Sequence, residues 1–281
     1  MLKSLFTFRL YFARRSRSIP ILVLALLLPV TAFPHEYFFE PKSFFVQVKQ
    51  KIDLRLFVGE GLKKEEERSF EAAKVRSFRE YFGKTGADIK NNQENSMPFY
   101  SYTSGSAGNH LFALERNWSY ITLESAKFED YLREDGMEYI IAERAKLGES
   151  QKEGRERYSR FIKTLLQIGE KRDKTYKEKT ALKLDITPLE NPYSKKSGDN
   201  LSFQVLFDGK PLVNRTAFAD NRDVELFSKQ KVTTDANGKF TVKLDRKGTW
   251  LVRLVVMQRC KTDCGEADWE SFWGAFSFGV R

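Results

Sequence analysis

The chain has 281 residues, of which 41% are hydrophobic and 31% charged, a balance that excludes an intrinsically disordered chain and a single small core. Its net charge is +10, but five of the basic residues lie in the first 34 positions, which contain no acid. The remainder mixes both signs, so the charge does not indicate nucleic-acid binding, which needs a basic stripe interleaved with aromatic residues.

Residues 1–32 are predicted to be a secretory signal peptide. A basic stretch precedes residues 19–33, which are almost entirely apolar but too few to span about 30 Å of hydrocarbon. Val30 and Ala32 provide apolar and small residues at positions −3 and −1, so we place cleavage after Ala32. An uncleaved N-terminal anchor is the alternative. After cleavage we expect no membrane span and a periplasmic or secreted protein.

Residues 33–179 are predicted to form an N-terminal β domain. Apolar residues alternate with charged ones from Val46 to Val58, which indicates a half-buried strand or strand pair. The charged stretch that follows predicts a surface excursion with one short helix around residues 70–82. Strands resume after it, with a turn between them at residues 116–117.

A helical insertion is predicted within this domain, at about residues 124–170. Helical spacing over residues 128–139 indicates helix, with Gly136 marking a break or a junction between two helices. A second stripe predicts another helix that stops at Gly169, where a left-handed cap is expected. Its apolar residues, spaced i, i+3, i+4, i+7 and i+8, are Tyr158, Phe161, Ile162, Leu165 and Leu166.

Residues 180–281 are predicted to form a C-terminal β-sandwich domain. About seven short alternating segments separated by turn signals are typical of an immunoglobulin-like or transthyretin-like sandwich. The sharpest hairpin signal is Asn237-Gly238, because a type I′ turn needs positive φ at both central positions. The predicted fold class is therefore mainly β, with two β-sandwich domains, of which the first carries the helical insertion.

The two cysteines, Cys260 and Cys264, enclose three residues. In an oxidising compartment they are predicted to close a small disulfide loop. A metal pair is the alternative, but two thiolates without further Cys or His nearby do not complete a zinc site.

No catalytic motif stands out, so we do not expect an enzyme; residues 104–108 lack the features of a phosphate loop and of a nucleophile elbow. The candidate metal ligands are the two histidines, His35 and His110. After cleavage His35 would be the third residue, but Pro34 has no amide proton to lose, so a closed N-terminal Cu(II) or Ni(II) chelate cannot form. An ordinary imidazole ligand, or a structural histidine at a strand start, remains open for each.

Six blocks of the sequence, in chain order, resemble the DUF4198 family of bacterial exported proteins. They are residues 35–41, 128–136 (FEDYLREDG), 155–169 (RERYSRFIKTLLQIG), 189–193 (LENPY), 206–211 (LFDGKP) and 268–272 (DWESF). The resemblance implies an exported protein with β-sandwich domains, and some relatives are described as components of nickel or cobalt uptake. Relatives often carry a further His in the strand where this chain has Val255, Val256 and Met257.

Two functional hypotheses follow. The leading one is a periplasmic accessory or binding protein that handles a divalent transition metal (Ni, Co, Cu or Zn) and works with an envelope metal transporter. The alternative is a structural or protein-interaction module of the bacterial envelope that uses no metal and binds another envelope protein.

Overall fold

The computed structural model describes residues 35–281, and most of them lie in three β-sheets, which we name sheets A, B and C. The fold is mainly β, as the sequence predicts. The predicted signal peptide and its cleavage after Ala32 lie outside the described residues.

Sheet A has four strands: β1 (Glu36–Pro41), β3 (Lys51–Glu60), β4 (Lys63–Arg68) and β7 (Tyr100–Thr103). It is antiparallel, with β1 and β4 flanking β3 and with β7 pairing the start of β3. The alternation read from the sequence is confirmed, because Ile52, Leu54 and Leu56 are buried while Lys51 and Arg55 are exposed.

Sheet B has ten strands: β2 (Phe45–Val46), β5 (Val75–Phe82), β6 (Thr85–Asp88), β8 (Gly108–Arg116), β9 (Ser119–Leu123), β10 (Gly154–Ile168), β14 (Thr216–Asp223), β15 (Leu226–Thr233), β17 (Gly248–Arg259) and β18 (Trp269–Val280). The order is β15-β14-β17-β18-β10-β8-β5-β6, and β2 and β9 also pair with β10. Its centre is the parallel pair β10 and β18.

Sheet C has four strands: β11 (Leu184–Pro188), β12 (Asn200–Phe207), β13 (Lys210–Pro211) and β16 (Lys239–Lys243). Sheet B lies between the other two. On one face Phe39 of sheet A stacks on Phe78 at 5.8 Å between ring centroids, and on the other Phe203 of sheet C meets Phe276 at 6.1 Å. The core therefore has two apolar layers, one on each face of sheet B.

Two helices, α1 (Ser125–Glu134) and α2 (Glu138–Lys146), cover part of sheet B, where Tyr131 stacks on Trp273. Gly136 lies between them with φ of +72°, so the predicted junction is confirmed. Single 3-10 turns occur at Ala72–Lys74, Thr175–Lys177 and Pro192–Ser194. Within residues 35–281, neither helix has the length and apolar character needed to cross a bilayer.

The helix predicted over residues 158–166 is wrong, because this segment belongs to strand β10. The helical part of the predicted insertion at 124–170 is thus confined to α1 and α2. The apolar stripe misled because β10 is covered on both faces, so consecutive residues such as Phe161 and Ile162 are both buried, as are Leu165 and Leu166. A strand buried on both sides shows no period of two and resembles a buried helix.

Two smaller predictions also fail. Only Ala72–Lys74 of the helix expected at residues 70–82 is helical, as one 3-10 turn. Residues 75–82 are β5, in which a register shift between Val75 and Ser77 spaces apolar residues by three. At Asn237-Gly238 only the glycine has positive φ. This turn joins β15 of sheet B to β16 of sheet C, so no two-residue hairpin forms.

The predicted domain boundary between residues 179 and 180 crosses sheet B. Strands β5, β8 and β10 come from the first predicted domain, and β14, β17 and β18 come from the second. The described residues group as one compact unit by their contacts. The division into two folding domains stays a prediction.

Candidate functional site

His35 lies immediately before β1 and is partly exposed. Its Nδ1 is 3.1 Å from Oε1 of Glu65 on β4, with 29% and 49% of the two side chains exposed. Its backbone carbonyl accepts a hydrogen bond of 3.1 Å from the guanidinium of Arg160 on β10. The imidazole therefore has one carboxylate beside it, and a cationic side chain holds the backbone of the same residue.

His110 lies on β8 and is only 2% exposed. Its Nδ1 is 2.7 Å from Oε1 of Glu80 and 2.9 Å from the hydroxyl of Tyr102. Its Nε2 is 3.2 Å from the Ser106 carbonyl oxygen, and the ring stacks on Phe82 at 4.4 Å. Both ring nitrogens are therefore already engaged by protein groups, Nδ1 by a carboxylate and a hydroxyl and Nε2 by a carbonyl, so a metal ion would have to displace one of these contacts.

The hydroxyl of Ser104 also approaches His110, at 3.2 Å from Nε2, which gives a Ser–His–Glu arrangement with Glu80. The Ser104 hydroxyl donates to the Ser106 carbonyl at 2.9 Å, and Ser104 is 3% exposed. A nucleophile would need to donate to the imidazole and to reach a substrate. The geometry instead suits a turn stabilised by its own serine.

Burial raises the pKa of Tyr102, and its hydrogen bond to Glu80 raises it further. The phenol therefore stays protonated and completes the contacts of the Glu80 carboxylate. Neither partner of His110 was predicted from the sequence. Because residues 70–82 were read as helix, the alternation that places Phe78, Glu80 and Phe82 on the face of His110 was missed.

The two histidines do not meet. His35 lies beside Arg160 of β10, whereas His110 of β8 pairs in register with Leu166, which is also on β10. Six residues of extended strand separate Arg160 from Leu166, a distance of roughly 20 Å. Among residues 35–281, no three His, Cys, Asp or Glu side chains are arranged to hold a metal ion. The described residues thus do not provide a closed coordination sphere for the metal that the family resemblance implies.

A buried charged cluster centres on Arg253 of β17, which is 3% exposed. Its Nε donates to Asp220 of β14 at 2.7 Å, and its Nη1 donates to Asp135, which follows α1, at 3.2 Å. The same Nη1 forms an ion pair with Glu36 of β1. One guanidinium therefore joins three carboxyl groups from three separate parts of the chain. We call these four residues the Arg253 cluster.

Burial shifts two acids of the Arg253 cluster, Asp135 and Glu36, towards their neutral forms. It raises the pKa of Asp135 to about 8, with a further contribution from the charge of Glu36. Burial also raises the pKa of Glu36, although Arg253 opposes that shift. Three ionised carboxyl groups around one guanidinium would leave excess negative charge, which the protonation of Asp135 relieves. The central position that a metal ion would need is taken by Arg253.

A small cavity of about 200 Å³ borders the Arg253 cluster, and its lining includes Gly61, Asp220, Lys229 and Arg253. The Gly61 amide donates to Glu36 at 3.3 Å, and a Cβ at this glycine would lie 3.3 Å from the Asp220 carboxyl group. The sequence carried a usable signal for this cluster. Arg253 interrupts an apolar strand, and a charge in such a strand indicates a buried partner.

Cys260 and Cys264 form a disulfide in the loop between β17 and β18, which confirms the predicted pairing. The Cys260 sulfur lies 3.9 Å from the Glu270 carboxyl group. Neither cysteine is available as a thiolate ligand, so the alternative of a cysteine metal pair is excluded in this state.

The comparisons with known proteins agree with the resemblance noted from the sequence. A family model described as a domain of unknown function, DUF4198, matches residues 32–258. A search of curated proteins finds no match. Since the family model covers most of the chain, the chain belongs to the DUF4198 family.

Proposed function

We propose that the chain is a non-catalytic accessory or binding protein of the bacterial envelope, exported by residues 1–32 and working in the periplasm or outside the cell. The disulfide supports this location, because such bonds persist in oxidising compartments. A test is fractionation of cells that produce the full chain. We expect a shortened product in the periplasmic or secreted fraction, and a full-length cytosolic product with free thiols would contradict the proposal.

The leading version of this function is the handling of a divalent transition metal, and the observation that carries it is the pair His35 and Glu65. Both side chains are partly exposed and lie 3.1 Å apart. An imidazole and a carboxylate are ligands that Ni²⁺, Co²⁺, Cu²⁺ and Zn²⁺ accept. Two ligands hold a metal only weakly, which suits a protein that passes a metal to an envelope transporter able to supply the remaining ligands.

Calorimetric titration of the protein with Ni²⁺ and Co²⁺ tests the metal version. We expect weak saturable binding that His35→Ala and Glu65→Gln both abolish. Glu138→Gln, a change of an exposed acid on α2, is the matched control and should bind as the wild type does. Equal heats from wild type and His35→Ala would contradict the proposal. His110→Gln should leave binding unchanged, because both ring nitrogens of His110 are already engaged.

The alternative, a protein-interaction module without metal, is favoured by the tip of the hairpin between β14 and β15. Val224, Leu226 and Phe227 are 79%, 61% and 42% exposed. Val224 and Phe227 border a groove of about 920 Å³ whose lining also includes Lys247 and Arg281. Exposed apolar side chains beside a groove are typical of a surface that binds another protein.

Cross-linking from position 224 tests this alternative. A photoreactive amino acid at Val224 should capture an envelope protein in cells, and the same probe at exposed Leu147, on the turn after α2, is the control. Equal yields from the two positions would argue against a specific surface. If Phe227→Ser abolishes the cross-linked product formed from position 224, the result would support such a surface.

We also keep, as a proposal about folding, the arrangement of two β-sandwich domains at residues 33–179 and 180–281. Each would comprise a part of sheet B together with sheet A or sheet C. Because sheet B takes strands from both parts of the chain, this proposal can be tested separately from the function.

A further inference from the structure

Three arginines gather on the ring of Tyr37 in β1. Their guanidinium carbons lie 4.0 Å (Arg160), 4.9 Å (Arg116) and 6.0 Å (Arg68) from the ring centroid. Arg160 comes from β10, Arg116 ends β8 and Arg68 ends β4. Sheets A and B thus both contribute to this group, which we call the Tyr37 arginine cluster.

Two of the three arginines are buried without an acidic partner. Arg116 and Arg160 are 7% and 6% exposed. No carboxylate of residues 35–281 lies within ion-pair distance of either, as the salt bridges of the described part of the chain show. Residues 1–34 contain no Asp or Glu, so they cannot supply one. By contrast, buried Arg157 donates to Glu270 at 3.1 Å.

The neighbouring acids offset only part of this charge. Burial raises the pKa of Glu156, the acid whose charge acts on Arg160, to about 7, so about half of this group is neutral near that pH. Its Oε1 is engaged by Tyr131 and Ser271. Exposed Glu66 pairs with Arg68 at 2.7 Å. Glu71 acts on Arg116 only from a distance and pairs with Lys74 at 2.7 Å.

Hydrogen-bond donors of the cluster also lack partners. The Nε atoms of Arg68 and Arg160 are buried and unpaired within the described residues. Arg160 uses one Nη2 hydrogen on the His35 carbonyl. Aromatic faces attract guanidinium groups but offset only part of the cost of burying their charge. Arg144, another buried arginine without an acid, differs because its Nη2 donates to two backbone carbonyls.

We propose that the Tyr37 arginine cluster binds a small multivalent oxyanion, carrying either carboxylate or phosphate groups. The fork of an arginine matches the paired oxygens of both groups, and unpaired buried donors are satisfied only by an acceptor. Arg68, whose side chain is 33% exposed, gives the site an opening to solvent. The site uses neither imidazole and so goes beyond the metal-handling function.

Calorimetric titration of the full exported protein with inorganic phosphate, sulfate and citrate tests the proposal, at a constant ionic strength set with sodium chloride. We expect saturable binding of at least one anion. Arg116→Gln and the more exposed Arg68→Gln should each weaken it by about tenfold or more, because each loses a charge-assisted contact. The comparison of citrate with phosphate and sulfate distinguishes a carboxylate ligand from a phosphate-like one.

Arg55→Gln is the matched control. Arg55 also lies over an aromatic ring, that of Phe57 at 4.9 Å, but it has a carboxylate partner in Glu67. Its substitution should leave anion binding within about twofold of wild type. No saturable binding of any of the three anions would overturn the proposal, as would equal weakening by Arg55→Gln.

A second measurement separates a ligand site from a structural cluster. An anion that binds only the folded state raises the unfolding midpoint, and the rise grows with the logarithm of the anion concentration above its dissociation constant. We expect this rise in the wild type and its loss in Arg116→Met, which should unfold no earlier than the wild type in anion-free buffer because it removes an uncompensated buried charge. A lower midpoint for Arg116→Met in every buffer, with the anion-dependent rise retained, would contradict the site.

Discussion

Charged side chains inside the core show what single residues contribute to this molecule. Lys163 of β10 is 1% exposed and is held by Asp185 of β11, which joins sheets B and C. On the opposite face of sheet B, the Arg253 cluster joins it to sheet A through Glu36 and to the end of α1 through Asp135. Removing one partner of such a buried pair leaves an uncompensated charge and costs about 3–5 kcal/mol.

Asp135 predicts a pH dependence of stability. Its pKa is about 8 in the folded protein against an ordinary 3.8, so the folded state retains a proton that the unfolded state releases. The free energy of unfolding should therefore fall as pH rises from about 4 to about 8. Asp135→Asn keeps an oxygen for Arg253 but cannot ionise. Its stability should fall less over this range, by an amount on the order of 2–5 kcal/mol.

Urea unfolding at pH 5, 7 and 9 measures this difference. Asp130→Asn, a change of an exposed acid on α1, is the control and should follow the wild type across the range. Because all other titrating groups are shared, the wild-type and Asp135→Asn curves differ only through this site and its neighbour Glu36. Parallel curves would show that Asp135 is not held in its neutral form.

For single residues, the sequence predicts which side chains matter better than it predicts which side chains contact each other. The pairing of Cys260 with Cys264 was predictable because the two are close in sequence and alternatives lacked ligands. The Glu80 partner of His110 was not, because it depends on the pairing of β5 with β8. The same holds for the Tyr37 arginine cluster, whose members come from four strands and share a site only after sheets A and B pack.

Among the secondary-structure elements, the two helices end in similar ways but against different surroundings. Gly136 after α1 has φ of +72°, and a Cβ there would lie 2.4 Å from Thr216 Cβ. Gly148 after α2 has φ of +66°, and a Cβ there would meet nothing within 4 Å. Both positions favour glycine for the backbone, but only the first also needs the space.

Alanine substitutions at these two glycines should separate the cost of backbone strain from the cost of a steric clash. Gly148→Ala should destabilise by about 1 kcal/mol, the cost of a left-handed conformation for a residue with a side chain. Gly136→Ala should cost about 3 kcal/mol or more, because overpacking adds to the strain. Denaturant unfolding of both variants measures the difference. Equal losses would mean that the loop between the helices shifts away from Thr216 without cost.

The disulfide lies in the loop between β17 and β18. Its contribution to the free energy of unfolding should be small, because the loop that it closes is short. The replacement of both Cys260 and Cys264 by serine should lower the free energy of unfolding by about 2 kcal/mol. Dithiothreitol should produce a similar loss in the wild type and none in the double variant. A loss several times larger would show that the bond also holds neighbouring groups such as Glu270 in place.

β10 shows why the sequence predicts some strands correctly and mistakes others for helices. Edge or one-sided strands such as β3 alternate clearly, and the sequence predicts them. β10 is paired along its length and covered on both faces, with Phe161 and Leu165 towards sheet C and Ile162 and Leu166 towards sheet A. Its hydrophobic pattern carries no information about strand or helix, which only its strand partners could supply.

For the whole molecule, the decisive feature is that sheet B takes strands from both halves of the chain. β18 runs parallel to β10, in register from Glu156 with Trp269 to Thr164 with Ser277. β18 is buried at every position. Parallel neighbours need a long connection, so contacts of high sequence separation hold the centre of the fold together.

Separate production of residues 33–179 and 180–281 therefore tests the predicted domain division. We expect neither part to fold alone, because each would expose the face and edge of its half of sheet B. The full chain should unfold in one transition that circular dichroism and fluorescence report alike. A full chain with a protease site at residues 178–180, cut after folding, is the control and should stay assembled. If either isolated part gave a dispersed NMR spectrum and a cooperative transition, the halves would be independent domains, as the sequence alone suggested. The shared pairing of β10 with β18 would then be an interface between them.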